Sequence, residues 1–317
     1  MDAAETKLFA DAVRGAIAHR GGDGVDDALR EVGWRAALSE DPVAATRTVF
    51  DILGELNLSS SAIDDVMVHA LGLDVPDDRA VALPSLGHHN PPATYDRAEL
   101  TITGLGSARF AEAHQAVVTI DGGGKQDFLA MLEVDALEVT PVAGIDPAGG
   151  WRAVTGRVPI GQFTAIDWPT AVAAGQLAIA QQLTSAARAM LELAREHAVS
   201  RNQFDRPIGS FQAVRHKLAE SYVAVESAAA AVDAGWATPT PFTATMAKLI
   251  AGTAAKTVAK HAQQVLAGMG FTSEHPFHHY FKRTLVLDQL LGSSTRLRRD
   301  LGRSAIDAHA VPSLLPL

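Results

Sequence analysis

Beyond Asp167-Trp168-Pro169 the chain repeats apolar residues at helical spacing almost to its end, and this half constrains the fold most. Residues 170–200 place Leu183, Ala187, Met190, Leu191 and Ala194 on one stripe, the period of a helix. A second helix is predicted over 210–234, with Pro239 and Pro241 closing the connection. A third covers Thr243 to Leu266, with Met246, Leu249, Ile250, Val258 and Val265 inward. Ala267-Gly268-Met269-Gly270 is predicted to end it, a glycine taking the left-handed cap. The fourth begins near Pro276 and runs, broken, to about Ala310. Four long helices joined by short turns predict a bundle. Its many alanines, Ala228 to Ala231 among them, permit close helix approach and predict packing against another subunit.

The first 75 residues are also helical in pattern. Leu8, Ala12, Val13, Ala16 and Ile17 share a face, and Gly21-Gly22-Asp23-Gly24 stops that helix. Further helices are predicted over 25–37, Pro42 to Leu56 and 61–71, the last with Ser59 to Ser61 as its N-cap cluster. Near Val75 the pattern changes to short apolar runs punctuated by Gly, Pro and Asp. Val81-Ala82-Leu83, Glu99 to Thr103, Ala116 to Ile120, Phe128 to Leu132 and Leu137 to Val142 read as strands. The organisation predicted is a helical domain over 1–75, a small β-domain over 76–165 and a four-helix bundle over 166–317. The fold class is α+β. The last residues, from Val311, are predicted to be a tail.

Composition removes several functions. The 317 residues include no cysteine, so disulfides, thiolate metal sites and a cysteine nucleophile are excluded. A net charge of −9, with no basic run longer than Arg296 to Arg299, argues against nucleic-acid binding. His88-His89 has no suitably spaced third ligand, so no metal is predicted. Neither a secretory signal nor a membrane span is visible, and a cytoplasmic location is predicted.

Between the first two bundle helices lies RNQFDRPIGSFQ, Arg201 to Gln212. A plain turn needs the Pro and Gly; the Arg, Gln and Phe residues are surplus to it. Later comes QVLAGMGFT, Gln264 to Thr272. These two motifs, in this order and at this separation, resemble the acyl-CoA dehydrogenase family across about 175–300. The resemblance implies a shortened N-terminal helical domain, a β-domain and a C-terminal four-helix bundle. It also implies FAD, shared at a subunit interface, with Arg201, Phe204, Gln264 and Gly268 touching the cofactor. A guanidinium can bridge a pyrophosphate and a Phe face can pack on a ring.

The departures from the family pattern limit that reading. Neither the Thr-Glu-x-x-x-Gly-Ser-Asp loop nor the Trp-(Ile/Val)-(Thr/Ser) strand is present between 75 and 165; Gly104-Leu105-Gly106-Ser107 is at best a remnant. Asp205 stands where glycine is usual, and Ala267 replaces the first glycine of the later turn. The family's base is a carboxylate that removes the α-proton of the thioester. One usual place for it holds Leu291 here; the other aligns near Gly175 and Gln176. Asp288, one turn before Leu291, is a candidate base or an ordinary capping or salt-bridging residue, and Asp167 is a similar candidate. No other catalytic residue is assigned. His278-His279-Tyr280 reads as packing or surface. Arg296, Arg298, Arg299 and Arg303 read as ion-pairing or solvent-facing, with CoA phosphates the alternative.

The resemblance therefore points to one half of a heteromeric enzyme, like the short subunits of α2β2 dehydrogenases of actinobacterial steroid catabolism. The implied partners are a longer flavin-binding subunit carrying the base, an acyl-CoA, and an acceptor such as electron-transfer flavoprotein. Two alternatives stay open: a self-sufficient homo-oligomeric dehydrogenase with a displaced base, and a catalytically inactive scaffold.

Overall fold

The computed structural model describes residues 1–73, 79–96, 98–159 and 161–309. The expected 75/76 boundary, the expected helix end at Ala310 and the expected tail lie outside them. Five helices come first: α1 (Ala3–Arg20), α2 (Val25–Glu31), α3 (Trp34–Glu40), α4 (Pro42–Glu55) and α5 (Ala62–Ala70). The single helix expected over 25–37 is two. Gly33, at φ 72°, takes a left-handed conformation that turns the chain between them. At the start of α5 the serine cluster divides its work. Ser60 Oγ accepts from the Ala62 N–H, while Ser61 Oγ accepts from the distant Arg109 N–H.

Eight strands then form one sheet: β1 (Arg79–Pro84), β2 (Ala93–Asp96), β3 (Glu99–Gly106), β4 (Gln115–Ile120), β5 (Asp127–Glu133), β6 (Glu138–Pro141), β7 (Arg152–Pro159) and β8 (Thr164–Ile166). The order is β6-β7-β3-β1-β4-β5-β8, with β2 paired to β3 and β4. The five expected strands are present, and β2, β7 and β8 are additional. Alternation along the strands divides the side chains between two cores. Val81, Leu83, Leu105, Val117 and Leu129 join the large core shared with the helices. Ala82, Ile102, Val118, Ile120 and Val154 build a second core within the sheet.

The bundle consists of α6 (Trp168–Ser200), α7 (Gln212–Ala237), α8 (Pro241–Leu266), α9 (Pro276–Gln289) and α10 (Ser294–Ala308). Asp167 caps α6, its carboxylate accepting from the Thr170 N–H and hydroxyl. The α6 helix is buried along much of its length, which explains an apolar stretch with few charges. Among the described residues no helix is long and apolar enough to cross a membrane. The break expected in the last helix falls at 290–293. The end of α8 differs from expectation. Ala267, rather than either glycine, takes positive φ (51°), and Gly268 and Gly270 lie in the 3-10 turn that follows.

Candidate functional site

Arg201 to Gln212 folds as a small hairpin at one end of the bundle. Strands β9 (Asn202–Gln203) and β10 (Arg206–Pro207) pair antiparallel, Gln203 opposite Arg206. Phe204 and Asp205 both take positive φ, 54° and 63°. Left-handed backbone at both central residues is what a two-residue hairpin of this hand demands. It also explains why an Asp can stand at a position usual for glycine, since its short polar side chain tolerates that region. The Ile208 N–H closes the hairpin on the Arg201 carbonyl at 2.8 Å. Gly209 is required by close approach: a Cβ there would lie 2.9 Å from the Ala198 carbonyl oxygen.

The hairpin thrusts Phe204 outward, and it is 86% exposed. The Phe204 ring meets Phe211 edge-on at 6.1 Å, and the Arg206 guanidinium lies 4.3 Å over the Phe211 ring. Arg201 is exposed. It lies close enough to His197, together with His275, to hold that imidazole below its usual range, after the larger effect of burial.

His275 caps α9, just beyond the second motif. Arg201 and His275 both act on His197, so the segments that follow α6 and α8, 201–211 and 267–275, lie near one another at the end of α6. Gln264 and Gly268 are exposed there, and nothing stands within 4 Å of a Cβ built on Gly268. Met269 and Phe271 are exposed beside them, Phe271 at 68%. One bundle end thus gathers a guanidinium, an amide, open glycine backbone and exposed aromatic rings. That donor set suits a dinucleotide with a pyrophosphate and flat rings.

The two usual places for the base face each other across the core. Leu291 is 1% exposed and left-handed, at φ 52°. A Cβ on Gly175 would lie 2.4 Å from Leu291 Cδ1 and 3.3 Å from Met67 Cγ, so this side chain fills the space the glycine leaves. Gln176 Nε2 donates to the Leu291 carbonyl at 2.9 Å. Lys248, fully buried, donates to the Asp288 carbonyl at 3.0 Å and the Gly292 carbonyl at 3.4 Å. Burial pulls its ammonium down to about 8, against the opposing attraction of Asp288.

Asp288 is 1% exposed and committed to protein partners. Its Oδ2 accepts from Lys256 Nζ at 3.0 Å and Gln289 Nε2 at 3.3 Å; its Oδ1 accepts from the Ser294 N–H at 3.3 Å. Asp288 thus braces the turn between α9 and α10, as the capping and salt-bridging reading expects, and Asp167 is the cap of α6. His89 sits against the same turn. Its Nδ1 would be 3.2 Å from a Gly292 Cβ, and burial lowers its pKa. Of the other residues singled out, His279 Nε2 lies 3.1 Å from the Ser273 carbonyl and the Tyr280 hydroxyl donates to the Glu55 carbonyl. Arg296 pairs with Asp300 at 3.3 Å, and Arg298 donates to Thr253.

Ser107, just after β3, is turned inward and 2% exposed. It belongs to a buried charged cluster that sequence reasoning missed. Asp65 accepts from Arg109 at 2.6 and 3.0 Å, from Trp34 Nε1 at 2.9 Å and from Arg35 at 3.3 Å. Asp64 accepts from the Ser107 hydroxyl at 2.8 Å. The available signal was an Asp-Asp pair inside an otherwise apolar helix. A cleft of about 630 Å³ between α4, α6 and α7, lined by Arg47, Asp51, Gln181, Arg188 and Asp233, lies apart from these groups.

Residues 169–306 match the family model described as Acyl-CoA dehydrogenase, C-terminal domain. The bundle, somewhat under half of the chain, is thus the part similar to the acyl-CoA dehydrogenase C-terminal domain. The acyl-CoA dehydrogenase IpdE2 of Mycobacterium tuberculosis is 43% identical over 123 residues, which span 39% of this chain and 39% of the relative. The architecture is shared over the whole chain. The ChsE4-ChsE5 complex from Mycobacterium tuberculosis superposes with a TM-score of 0.75 at 20% identity, covering 99% of both chains. A steroid ACAD, the Tcur3481-Tcur3483 G363A variant, superposes with a TM-score of 0.77 at 18% identity, covering 97% and 99%. Helices, then a β-domain, then a helical bundle is the acyl-CoA dehydrogenase fold, as expected from the motif order.

Proposed function

We propose that this chain is the base-lacking subunit of a heteromeric, FAD-dependent acyl-CoA dehydrogenase that desaturates an acyl-CoA between its α and β carbons. The observation that carries the reading is Leu291. An apolar, buried side chain packed against Gly175 occupies the position where the family's chemistry needs a carboxylate. Asp288, the nearest acid in sequence, is spent on Lys256 and the Ser294 N–H. A longer partner subunit therefore supplies the base. FAD, held by the partner together with Arg201, Phe204, Gln264 and Gly268 of this chain, would supply the hydride acceptor.

In this reading the chain's own contribution is the bundle end. Arg201 pairs with the cofactor's pyrophosphate and Phe204 packs on one of its rings. Gln264 and the open backbone at Gly268 complete a wall around a flavin held mainly by the partner. The exposure of Phe204, Met269 and Phe271 supports a surface that another chain covers. The acyl group is proposed to be steroid-derived, because one structural neighbour is a steroid ACAD. The electron acceptor is an electron-transfer flavoprotein.

The test is co-production with a longer acyl-CoA dehydrogenase-like chain. Alone, this chain purifies without flavin; the complex is yellow and is bleached by acyl-CoA. Arg201→Ala in the complex removes a charge-assisted bond of about 1.5–3 kcal/mol, and flavin retention falls roughly ten- to a hundredfold. A lone chain that binds flavin and reduces it with acyl-CoA refutes the partner reading. Unchanged flavin content in Arg201→Ala refutes the contact.

A further inference from the structure

Asp64 and Asp65 are neighbours at the start of α5, yet their surroundings differ in kind. Asp65 takes the cationic partners: Arg109 grips it with two bonds, and Arg35 and Trp34 of α3 add to it. Asp64, fully buried, meets only uncharged donors: the Ser107 hydroxyl at 2.8 Å and the β1 Val81 N–H at 3.4 Å, both on Oδ2. Among the described residues its Oδ1 has no partner. A bare, buried oxygen costs an ionised carboxylate far more than a protonated one. Other groups facing the cluster are few. Asp26 of α2 accepts from Ser60 and from the Ser61 N–H, and β1 offers only backbone.

We propose that Asp64 is a proton-operated latch that fastens α5 to the β-domain when neutral and loosens it when ionised. On losing its proton to solvent, Asp64 becomes a second anion beside Asp65, with Arg109 already engaged. The Ser107 bond survives, but the junction among α5, β1 and the 107–111 turn carries uncompensated charge. The same helix places Met67 beside Gly175, on which Leu291 also packs, so a change at the latch reaches the closed core position. Burial supports the assignment by pushing this carboxyl up to about 7, over the opposing pull of Arg109 and Ser107. The titration therefore falls at ordinary pH. This inference concerns the chain itself and stands whether or not the proposed partner exists.

Hydrogen exchange read by mass spectrometry on the full chain tests it, after correction for the intrinsic pH dependence of exchange. From pH 6 to pH 8.5, protection of 79–84 and 104–111 falls at least tenfold in the wild type and stays level in Asp64→Asn. Equal loss in both proteins, or none in the wild type, overturns the latch. Should the variant not fold, infrared spectroscopy of the wild type decides. A protonated-carboxyl band present at pH 5.5 and lost by pH 8.5, in step with the exchange change, supports the proposal; a spectrum without that band overturns it.

Discussion

At the residue scale, identical chemistry is given opposite roles by burial and pairing. Asp65 has a guanidinium gripping both its oxygens; Asp64, one residue earlier, accepts only from uncharged donors, and burial outweighs the pull of Arg109 to raise its pKa. Stability follows from that difference. The folded state holds the Asp64 proton more tightly than the unfolded chain, whose carboxyl titrates at 3.8. The stabilisation is therefore fully present below about pH 4 and is lost as pH rises through about 7. The shift corresponds to on the order of 4 kcal/mol between the two limits. Thermal melts from pH 5 to pH 8.5 should show the wild type falling relative to Asp64→Asn until about pH 7 and then levelling off. The hairpin shows the same economy. Phe204 and Asp205 accept left-handed backbone so that an aromatic ring stands clear of the surface.

At the element scale, the turn between α9 and α10 is defined by what surrounds it. Lys248 and Lys256 of α8 hold it from one side, and Gln176 of α6 holds it from another. Leu291 can adopt its conformation because residue 175 has no side chain. Gly175→Ala forces a Cβ into the Leu291 methyl group, with Met67 preventing retreat, and should destabilise by about 1–3 kcal/mol. The double variant Gly175→Ala with Leu291→Ala should cost less than the sum of its parts, with a coupling of about 1 kcal/mol or more in chemical denaturation. Additive losses would mean that the two positions do not share one space.

At the scale of the whole molecule, a buried ion pair ties three regions together. Arg283 of α9 meets Asp146 of the β-domain at 2.9 and 3.3 Å and also donates to the Asn57 carbonyl after α4. Both side chains are 8% exposed. Arg283→Ala leaves a buried carboxylate without its cation and should cost about 3–5 kcal/mol in urea unfolding. Arg283→Met with Asp146→Leu should recover much of that loss, since no charge is then stranded. The large core runs through all three regions, so the loss should appear in one cooperative transition.

Local pattern determined much of this protein. Helical period and proline placement determined the bundle helices, because those signals are complete within a few turns of chain. The paired motifs at 201–212 and 264–272 were legible for the same reason: their residues are contiguous. Tertiary structure alone decided the rest. The three-residue strand β8 exists through its pairing with β5, and β7 through its pairing with β3 and β6. Ala267 turns left-handed where two nearby glycines do not. The closure of Leu291 against Gly175 and the raised pKa of Asp64 each depend on contacts between residues far apart in the chain. Their chemistry is set by which side chains the fold brings within 3 or 4 Å, and no local spacing encodes that.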